Sequence, residues 1–359
     1  MILDRYMIGQ FFKTFFFAIF ALCVVFVIVD LIENIDDFID SNSGGDVIVK
    51  YYIYYLPSII KLLTPVATLL ASLFTVGRLS TSSEITAMKS GGVSLYRILL
   101  PFLVVGILIS VFQIYFCGWI VPKSIQEKGI IEAVNLKRGT STGPIYDLYF
   151  RESPNRNLIM MYYNSDNYQG NQAALETYTG SKHPRMIKRV ESQGIFWDKH
   201  KNKWFMTDVI IRDFSNNQIR FSKRDTMQLK MSITHNQLIM LKKRTEEMNY
   251  IELKEYIDLL KNGGKDVRKQ IVEYHGNYAY PFASIVVVLF GVPFASIKRR
   301  GGMAVQIGAA LLVSFIYILS TKFSQTIGYA SGWNPIIAGW LANIIFAVIG
   351  LFVIFRTKT

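Results

Sequence analysis

Six long stretches with at most one charged residue each constrain this chain of 359 residues more than any other feature. A helix needs about 20 apolar residues to cross roughly 30 Å of hydrocarbon, so every stretch is long enough to span a membrane. The charge is concentrated elsewhere, since 44 of the 65 charged residues lie between Pro122 and Glu273. The pattern therefore predicts membrane spans that flank one polar domain. The predicted spans are residues 11–29, 56–77, 98–121, 274–297, 303–327 and 335–355.

The first stretch also has features of a secretory signal peptide, because Arg5 and Lys13 precede its apolar core. No small-x-small cleavage site follows, and the sequence runs into residues 30–34 without the break that is typical of processing. We therefore expect this stretch to remain as the first span.

Lys and Arg in the short loops predict the orientation, since an excess of basic residues marks the cytoplasmic side of a membrane. One side holds ten basic residues, whereas the other holds two lysines and six acidic residues. We expect both termini in the cytoplasm and the polar domain outside. We interpret the net charge of +13 as a feature of membrane orientation and not as a sign of nucleic-acid binding. The basic side comprises Arg5, Lys13, Arg78, Lys89, Arg97, Lys298, Arg299, Arg300, Arg356 and Lys358. The opposite side comprises Lys50, Lys61, Asp30, Glu33, Asp36, Asp37, Asp40 and Asp46.

The polar domain has the alternation of β-strands. Residues 226–233 alternate apolar and polar side chains, a period of two that gives one apolar and one wet face. Residues 196–205 place two aromatic pairs around a polar turn, as a hairpin does. Strands at this regular spacing favour a sandwich or jelly roll. The apolar positions of the first segment are Met227, Leu229, Met231 and Ile233, and other β-like runs are residues 145–150, 158–163, 209–214 and 219–222.

A helix with local start and stop signals closes the polar domain. Asn249 can cap its beginning, Glu252 lies at the third helical position and Gly263 ends it. One face is apolar, so we expect this helix to lie against the membrane or the fourth span. The apolar face comprises Leu253, Tyr256, Ile257 and Leu260.

The sequence lacks the short motifs of two common enzyme classes. It contains no GxxxxGK[ST] phosphate loop and no HExxH. The four histidines are dispersed, and Cys23 and Cys117 both lie in apolar runs. We therefore expect no metal site and no disulfide framework in the polar domain.

Lys61 and Lys322 lie inside predicted spans, where ionisable side chains are costly and tend to have a function. One interpretation is that both extend to the outer interface or pair with a carboxylate of residues 30–40. The other is that both contact an anionic, phosphate-bearing substrate at the outer leaflet.

The cytoplasmic segment 79–97 predicts a short helix across the ends of two spans, which is the feature that a permease presents to a motor domain. Thr81 followed by Glu84 indicates a capping box, Ile85 and Met88 share a helical face, and Gly91 ends the helix. Glu84 can serve as a cap alone or as a contact to that motor.

Several segments, in this order and spacing, carry a family resemblance. They are residues 2–6, 56–79, 83–94, 247–249, 280–283, 291–295 and 300–302. Along nearly its full length the chain resembles the lipopolysaccharide export permeases of the LptF/LptG (YjgP/YjgQ) family.

The resemblance implies an α+β membrane protein of the bacterial inner membrane, with a periplasmic β-jellyroll between the third and fourth of six transmembrane helices. The expected domains are residues 1–122 with a coupling helix at 80–92, residues 123–268 as the jellyroll ending in an amphipathic helix, and residues 269–359. The implied function is that of an ABC transporter permease that extracts lipopolysaccharide from the outer leaflet and passes it to a periplasmic bridge. The chain itself is then no enzyme and needs no cofactor, because a separate ATPase binds ATP.

The resemblance also implies partners and roles for particular residues. Expected partners are an LptB-like cytoplasmic ATPase dimer, a second permease, an LptC-like membrane-anchored jellyroll and an LptA-like bridge. Glu84 would lie in a groove of the ATPase, with Ile85, Met88 and Arg78 as neighbours. The apolar face of Met227, Leu229, Met231 and Ile233 would belong to the substrate path, since a jellyroll with an apolar interior can receive acyl chains.

The chain departs from the family at the outward end of the first span. Some members place basic residues there, whereas this sequence has Asp30, Glu33, Asp36 and Asp37. The phosphate contact then falls to Lys61 and Lys322, to the partner permease, or to divalent cations that bridge carboxylates and phosphate. The sequence distinguishes neither the LptF-type from the LptG-type subunit nor a homodimer from a heterodimer. Two other classes stay open: a membrane enzyme that modifies a lipid or envelope polymer, and a structural or signalling receptor.

Overall fold

The structure, a computed structural model, describes residues 2–136, 143–180, 183–215, 219–296, 302–330 and 332–356. The chain divides into two compact units, residues 1–137 with 268–359 and residues 138–267. Four residues used for the predicted orientation, Lys298, Arg299, Arg300 and Lys358, lie outside the described residues, as does Gly301 of the family segment 300–302.

The amino-terminal part of the first unit is helical throughout. Its helices are α1 (Ile2–Asp40), α2 (Gly45–Thr81), α3 (Glu84–Ser90), α4 (Leu95–Tyr115) and α5 (Val121–Val134). A π-helical turn, Phe116–Ile120, joins α4 to α5.

The described residues of the second unit form six strands, two α-helices and a 3-10 turn at Thr245–Glu247. The strands are β1 (Ile145–Ser153), β2 (Arg156–Asn164), β3 (Gln169–Tyr178), β4 (Met186–Asp198), β5 (Lys203–Asp213) and β6 (Arg220–Leu229). The helices that follow are α6 (His235–Met240) and α7 (Tyr250–Asn262).

The first unit continues with α8 (Arg268–Ala279), a 3-10 turn at Tyr280–Phe282, α9 (Ala283–Ser296), α10 (Gly302–Ala330) and α11 (Pro335–Arg356). In the part of the chain that the structure describes, six helices are long and apolar enough to cross a membrane, which confirms the six predicted spans. They are Ile2–Asp40, Gly45–Thr81, Leu95–Val134, Arg268–Ser296, Ile307–Ala330 and Pro335–Arg356.

The third span does not end at Pro122, where the apolar run stops. The helix continues to Val134 because the π-helical turn widens the backbone just before Pro122, which then occupies the start of α5. Proline is tolerated in a first helical turn, where its missing N–H and its ring disturb no hydrogen bond. The start of the segment expected to be strand-rich is therefore helical.

The first helix is also longer than its apolar core. Its 39 residues extend over about 58 Å, roughly twice the thickness of the hydrocarbon layer. The acidic residues Asp30, Glu33, Asp36 and Asp37 lie on the last turns of this helix and not in a loop. The acidic end of the first span is therefore an ordered helical surface.

The six strands form one antiparallel sheet in which each strand pairs with its neighbours along the chain. The fold class of six spans plus a β domain is confirmed. The described residues contain no second sheet, so the jellyroll topology is not confirmed. The predicted hairpin is present, with Phe196 opposite Phe205 and Trp197 opposite Trp204. Strand β3 was not predicted, because its central Ala173 and Ala174 give a weak β pattern.

The core of the second unit lies on one face of this sheet. Tyr163, Trp204 and Met206 are almost fully buried there, together with Leu259 of α7. The capping prediction for α7 is confirmed, since the Asn249 side chain accepts hydrogen bonds from the backbone of Ile251 and Glu252, and Gly263 ends the helix.

Candidate functional site

The short helix α3 is anchored by one buried side chain. Ile85 is 2% exposed and belongs to the core formed by α1, α2, α4 and α9, while Met88 packs at the edge of that core. Glu84 is half-buried, and its carboxylate forms no hydrogen bond or ion pair with any residue that the structure describes. One side of α3 is thus held in the core, and the Glu84 carboxylate has no partner among the described residues.

The predicted capping box between Thr81 and Glu84 is wrong. Thr81 is the last residue of α2, and its hydroxyl donates to the Gly77 carbonyl at 2.6 Å. Ser83 precedes α3 in the left-handed conformation, with φ of 61°, and no side-chain hydrogen bond caps the helix. Glu84 is therefore the first helical residue, and its carboxylate is not used as a cap.

The other end of α3 follows the prediction. Gly91 ends the helix and Gly92 has a positive φ of 85°, a conformation that glycine adopts without steric cost. The amide of Val93 donates to the Met88 carbonyl at 3.0 Å and closes the turn. The amide of Gly92 also donates to the Lys89 carbonyl at 3.0 Å, so this end of the segment is a Schellman motif.

Arg78 lies on the last turn of α2 with an exposed side chain. Its carbonyl accepts a hydrogen bond of 2.9 Å from the amide of Ser82. The guanidinium has no ion-pair partner in the part of the chain that the structure describes. Arg78, Glu84 and Met88 thus lie at the same end of the helical bundle, within one short stretch of chain.

An ion pair that the sequence does not predict joins the starts of two spans. The guanidinium of Arg97 donates to both carboxylate oxygens of Asp4 at 2.7 Å. The pairing joins the first turn of α1 to the first turn of α4. Nothing in the spacing of 93 residues indicates it.

Lys61 lies among polar groups of the fourth span. Its Nζ donates to the Oδ1 of Asn277 at 3.3 Å and lies 5.9 Å from the ring centre of Tyr280. The expected pairing with a carboxylate of residues 30–40 is absent among the described residues. Asp30 instead accepts a hydrogen bond from the Tyr52 hydroxyl at 3.0 Å.

Lys322 has different surroundings. Its side chain is exposed and lines an open groove of about 530 Å³. No ion pair of Lys322 occurs within the described residues, so its ammonium group is available to a ligand. The groove is lined by Leu319, Ser320, Lys322, Phe323 and Thr326.

The predicted alternation along residues 226–233 is confirmed, although the strand itself is shifted. Leu229 and Ile233 are 4% and 1% exposed, Met227 and Met231 are half-buried, and the polar residues between them are exposed. The strand ends at Leu229 because β5 begins at Lys203 and offers no backbone partner beyond that point. All four apolar side chains belong to the core of the second unit.

A buried polar cluster closes this core near Ile233. The Trp204 Nε1 donates to the Ile233 carbonyl at 2.7 Å, and the Tyr163 hydroxyl and His235 Nδ1 share a hydrogen bond of 2.6 Å. Burial lowers the pKa of His235, and the nearby positive charge of Lys199 lowers it further. Burial also raises the pKa of the Tyr163 hydroxyl. Both side chains are therefore neutral in the folded domain at neutral pH.

The chain is similar to known proteins over almost all of its length. Residues 5–356 match the family described as lipopolysaccharide export system permease LptF/LptG. Two relatives are lipopolysaccharide export system permease proteins LptG: that of Escherichia coli K12 is 20% identical over 99% of this chain and 98% of its own length, and that of Haemophilus influenzae is 21% identical over 96% of each. The LptF protein of E. coli K12 is 18% identical over 98% of this chain and 94% of its own length. With six spans, one β domain and a family match from residue 5 to residue 356, the chain belongs to the LptF/LptG family of lipopolysaccharide export permeases.

Proposed function

We propose that this chain is one permease subunit of an ATP-binding cassette transporter that extracts lipopolysaccharide from the outer leaflet of the inner membrane. The substrate then passes through the apolar side of the β domain to a periplasmic bridge. Membership of the family supports this function, whereas the alternative of a membrane enzyme finds no support in it.

Such a subunit must keep the acyl chains of its substrate in contact with apolar surface along the whole route. Exposure of one CH₂ group to water costs about 0.8 kcal/mol, so an acyl chain of about a dozen carbons costs roughly 10 kcal/mol. The row formed by Met227, Leu229, Met231 and Ile233 is apolar and ends in a buried core. We assign this row to the route of the acyl chains.

The energy source must bind from outside the chain, because the sequence contains no phosphate loop. The observation that carries our proposal is the unpartnered carboxylate of Glu84 on a helix held in the core by Ile85. We assign Glu84, with Ile85, Met88 and Arg78 around it, to the contact with an LptB-like ATPase dimer. The side that carries α3 and both termini is then cytoplasmic, and the β domain is periplasmic.

The remaining partners follow from the transport path. A second permease of the family completes the transmembrane part, and an LptC-like jellyroll and an LptA-like bridge receive the substrate. We assign the phosphate contact to Lys322, whose ammonium is exposed in an apolar groove, and to Lys61. ATP is bound by the ATPase alone.

Substitution of Glu84 by Ala tests the proposal in full-length protein copurified from native membranes. We expect wild-type protein to bring down an ATPase and a second six-span protein, and Glu84→Ala to lose the ATPase or its coupling to transport. Asp46→Ala is the matched control, since it removes an exposed carboxylate from the opposite end of α2. Unchanged ATPase binding and coupling in Glu84→Ala would refute the assignment of α3. Absence of any ATPase from the wild-type preparation would refute the transporter.

A further inference from the structure

The fourth span is interrupted, and the interruption is capped by a side chain of another span. In a continuous helix the amide of Ala283 would donate to the Ala279 carbonyl. Here it donates to the backbone carbonyls of Tyr280 and Pro281. The Nδ2 of Asn343 donates to the Ala279 carbonyl at 2.5 Å in its place. A backbone group within a membrane needs such a partner, because no water is present to supply one.

The same asparagine also binds the fifth span. The Tyr317 hydroxyl donates to the Asn343 Oδ1 at 2.5 Å, and both residues are buried, with exposures of 2% and 7%. Asn343 lies on α11 and Tyr317 on α10. One amide group therefore ties α10 and α11 to the break between α8 and α9.

A second buried hydrogen bond also joins α10 to α11, because the Ser324 hydroxyl donates to the Ala338 carbonyl at 2.5 Å. Only 22% of the apolar stretch of α10 is buried, compared with 78% for that of α2. The buried residues of α10 include Ala310 and Ser314, and the Ser314 hydroxyl has no hydrogen-bond partner among the described residues. In lipid, apolar packing gains no hydrophobic free energy over contact with acyl chains, so hydrogen bonds between helices have a larger share in fixing orientation.

Lys322 lies on the other side of the same helix. Lys322 follows Tyr317 by five positions, which places the two side chains about 140° apart around the helix axis. Tyr317 faces α11 and the core that contains Ala283 and Phe346, whereas Lys322 faces the open groove. Any rotation of α10 about its axis would therefore move Lys322 out of its present direction.

We propose that Asn343 is a positioning residue: by binding Tyr317 and the Ala279 carbonyl together, it holds the rotation of α10, along with the hydrogen bond from Ser324 to Ala338, and so the direction in which Lys322 points. This inference rests on the proposed function only where it assigns Lys322 a contact with a substrate phosphate. The effect of Asn343 on the rotation of α10 does not depend on transport.

A cysteine-accessibility scan of α10 tests the rotation in the full-length chain in lipid nanodiscs. Cys23 and Cys117, both buried, are first replaced by Ala. Single cysteines at residues 319, 322, 323 and 326 are then reacted with a charged, water-soluble maleimide. The readout is the ratio of labelling rates among these positions. This ratio reports which face of the helix is exposed to water, and a general loss of stability would not change it.

Tyr317→Phe is the sharpest variant, since it keeps the ring and removes only the hydroxyl. We expect it, and Asn343→Ala, to change the ratio of rates at residues 322 and 319 by about threefold, the effect of one hydrogen bond between spans. Tyr52→Phe is the matched control, because it removes a tyrosine hydrogen bond of 3.0 Å between α2 and α1. It should leave the ratios unchanged.

Unchanged ratios in Tyr317→Phe would overturn the positioning role, even if Asn343→Ala fails to fold. The proposed function is judged separately by binding of wild-type protein to nanodiscs that contain lipopolysaccharide. Altered ratios together with absent lipopolysaccharide binding would support the rotation and refute the substrate. Unchanged ratios with normal binding would refute the rotation alone.

Discussion

The carboxylate of Asp4 and the guanidinium of Arg97 form a bidentate pair in which both N–O distances are 2.7 Å. Because the pair is exposed, water and salt screen it, and its effect on stability should be small. We expect Asp4→Asn to lower the thermal midpoint slightly at low ionic strength and not measurably in about 1 M salt. Thermal unfolding of the detergent-solubilised chain at both salt concentrations measures this. An equal loss at both concentrations would show that Asp4 acts through packing.

Ile85 should contribute far more to the stability of α3 than its length of seven residues suggests. We expect Ile85→Ala to lower the free energy of unfolding by about 2–5 kcal/mol, because it leaves a cavity in the core. Ile107→Ala, at a position 49% exposed on α4, should change it by less than about 0.5 kcal/mol. Denaturant unfolding of both variants decides the matter, and similar losses would argue against Ile85 as an anchor.

Lys322→Asp should weaken binding of lipopolysaccharide about tenfold or more, since a charge-assisted contact to phosphate is replaced by repulsion. Membrane insertion should be normal, because one charged side chain replaces another at the same depth of the span. Lys50→Asp makes the same change of charge at an exposed position near the start of α2 and should bind normally. Titration with lipopolysaccharide in nanodiscs measures both. Wild-type affinity in Lys322→Asp would leave Lys322 without a substrate role.

Photo-crosslinkers on β6 and the segment after it should distinguish an apolar route from a wet one. Met227 and Met231 are half-buried, so a crosslinker at either position reaches the apolar side without replacing a fully buried side chain. We expect ATP-dependent capture of lipid at these two positions in the complete transporter. Gln228 and Lys230, which are exposed on the other face, are the matched controls. Capture at the controls alone would contradict the apolar route.

The β domain should lose stability in acid through His235. Its pKa is lowered by burial in the folded state, so below about pH 6.5 the unfolded chain binds the proton more readily than the folded one. Stability is therefore constant at higher pH and falls as the pH drops through this range. Hydrogen exchange of the full-length chain between pH 7 and pH 5 should show the slope, and His235→Gln should reduce it. The same slope in the variant would assign the effect to other groups.

The helices and spans were largely predictable because apolar runs and capping residues are local signals. Asn249 and Gly263 mark the ends of α7 directly, and the alternation around Leu229 gives the buried face of its strand. The continuation of the third span past Pro122 was not predictable, since it depends on a π-helical turn that no composition rule indicates. Thr81 was misread because a threonine three residues before a glutamate caps a helix only if the preceding helix has already ended.

The local part of the candidate segment was predictable, since Ile85 and Met88 share a helical face and pack on the same core, whereas the role of Glu84 stays a prediction. The surroundings of Lys61 were not predictable, because Asn277 lies 216 residues further along the chain. Asn343 was missed for the same reason: its role depends on an interruption in a different span, and the sequence around it reads as an ordinary apolar helix.

The π-helical turn at Phe116–Ile120 has a consequence for every residue that follows it in the third span. One extra residue in a turn advances the remainder of the helix by about 100°. Lys128 thereby faces α2, with its Nζ 4.1 Å from the ring centre of Tyr55 and 4.9 Å from that of Tyr51. A chain shortened by a single residue at this turn would direct the aliphatic and cationic sides of α5 to the wrong neighbours, so an insertion or deletion here would be tolerated far less well than most point substitutions.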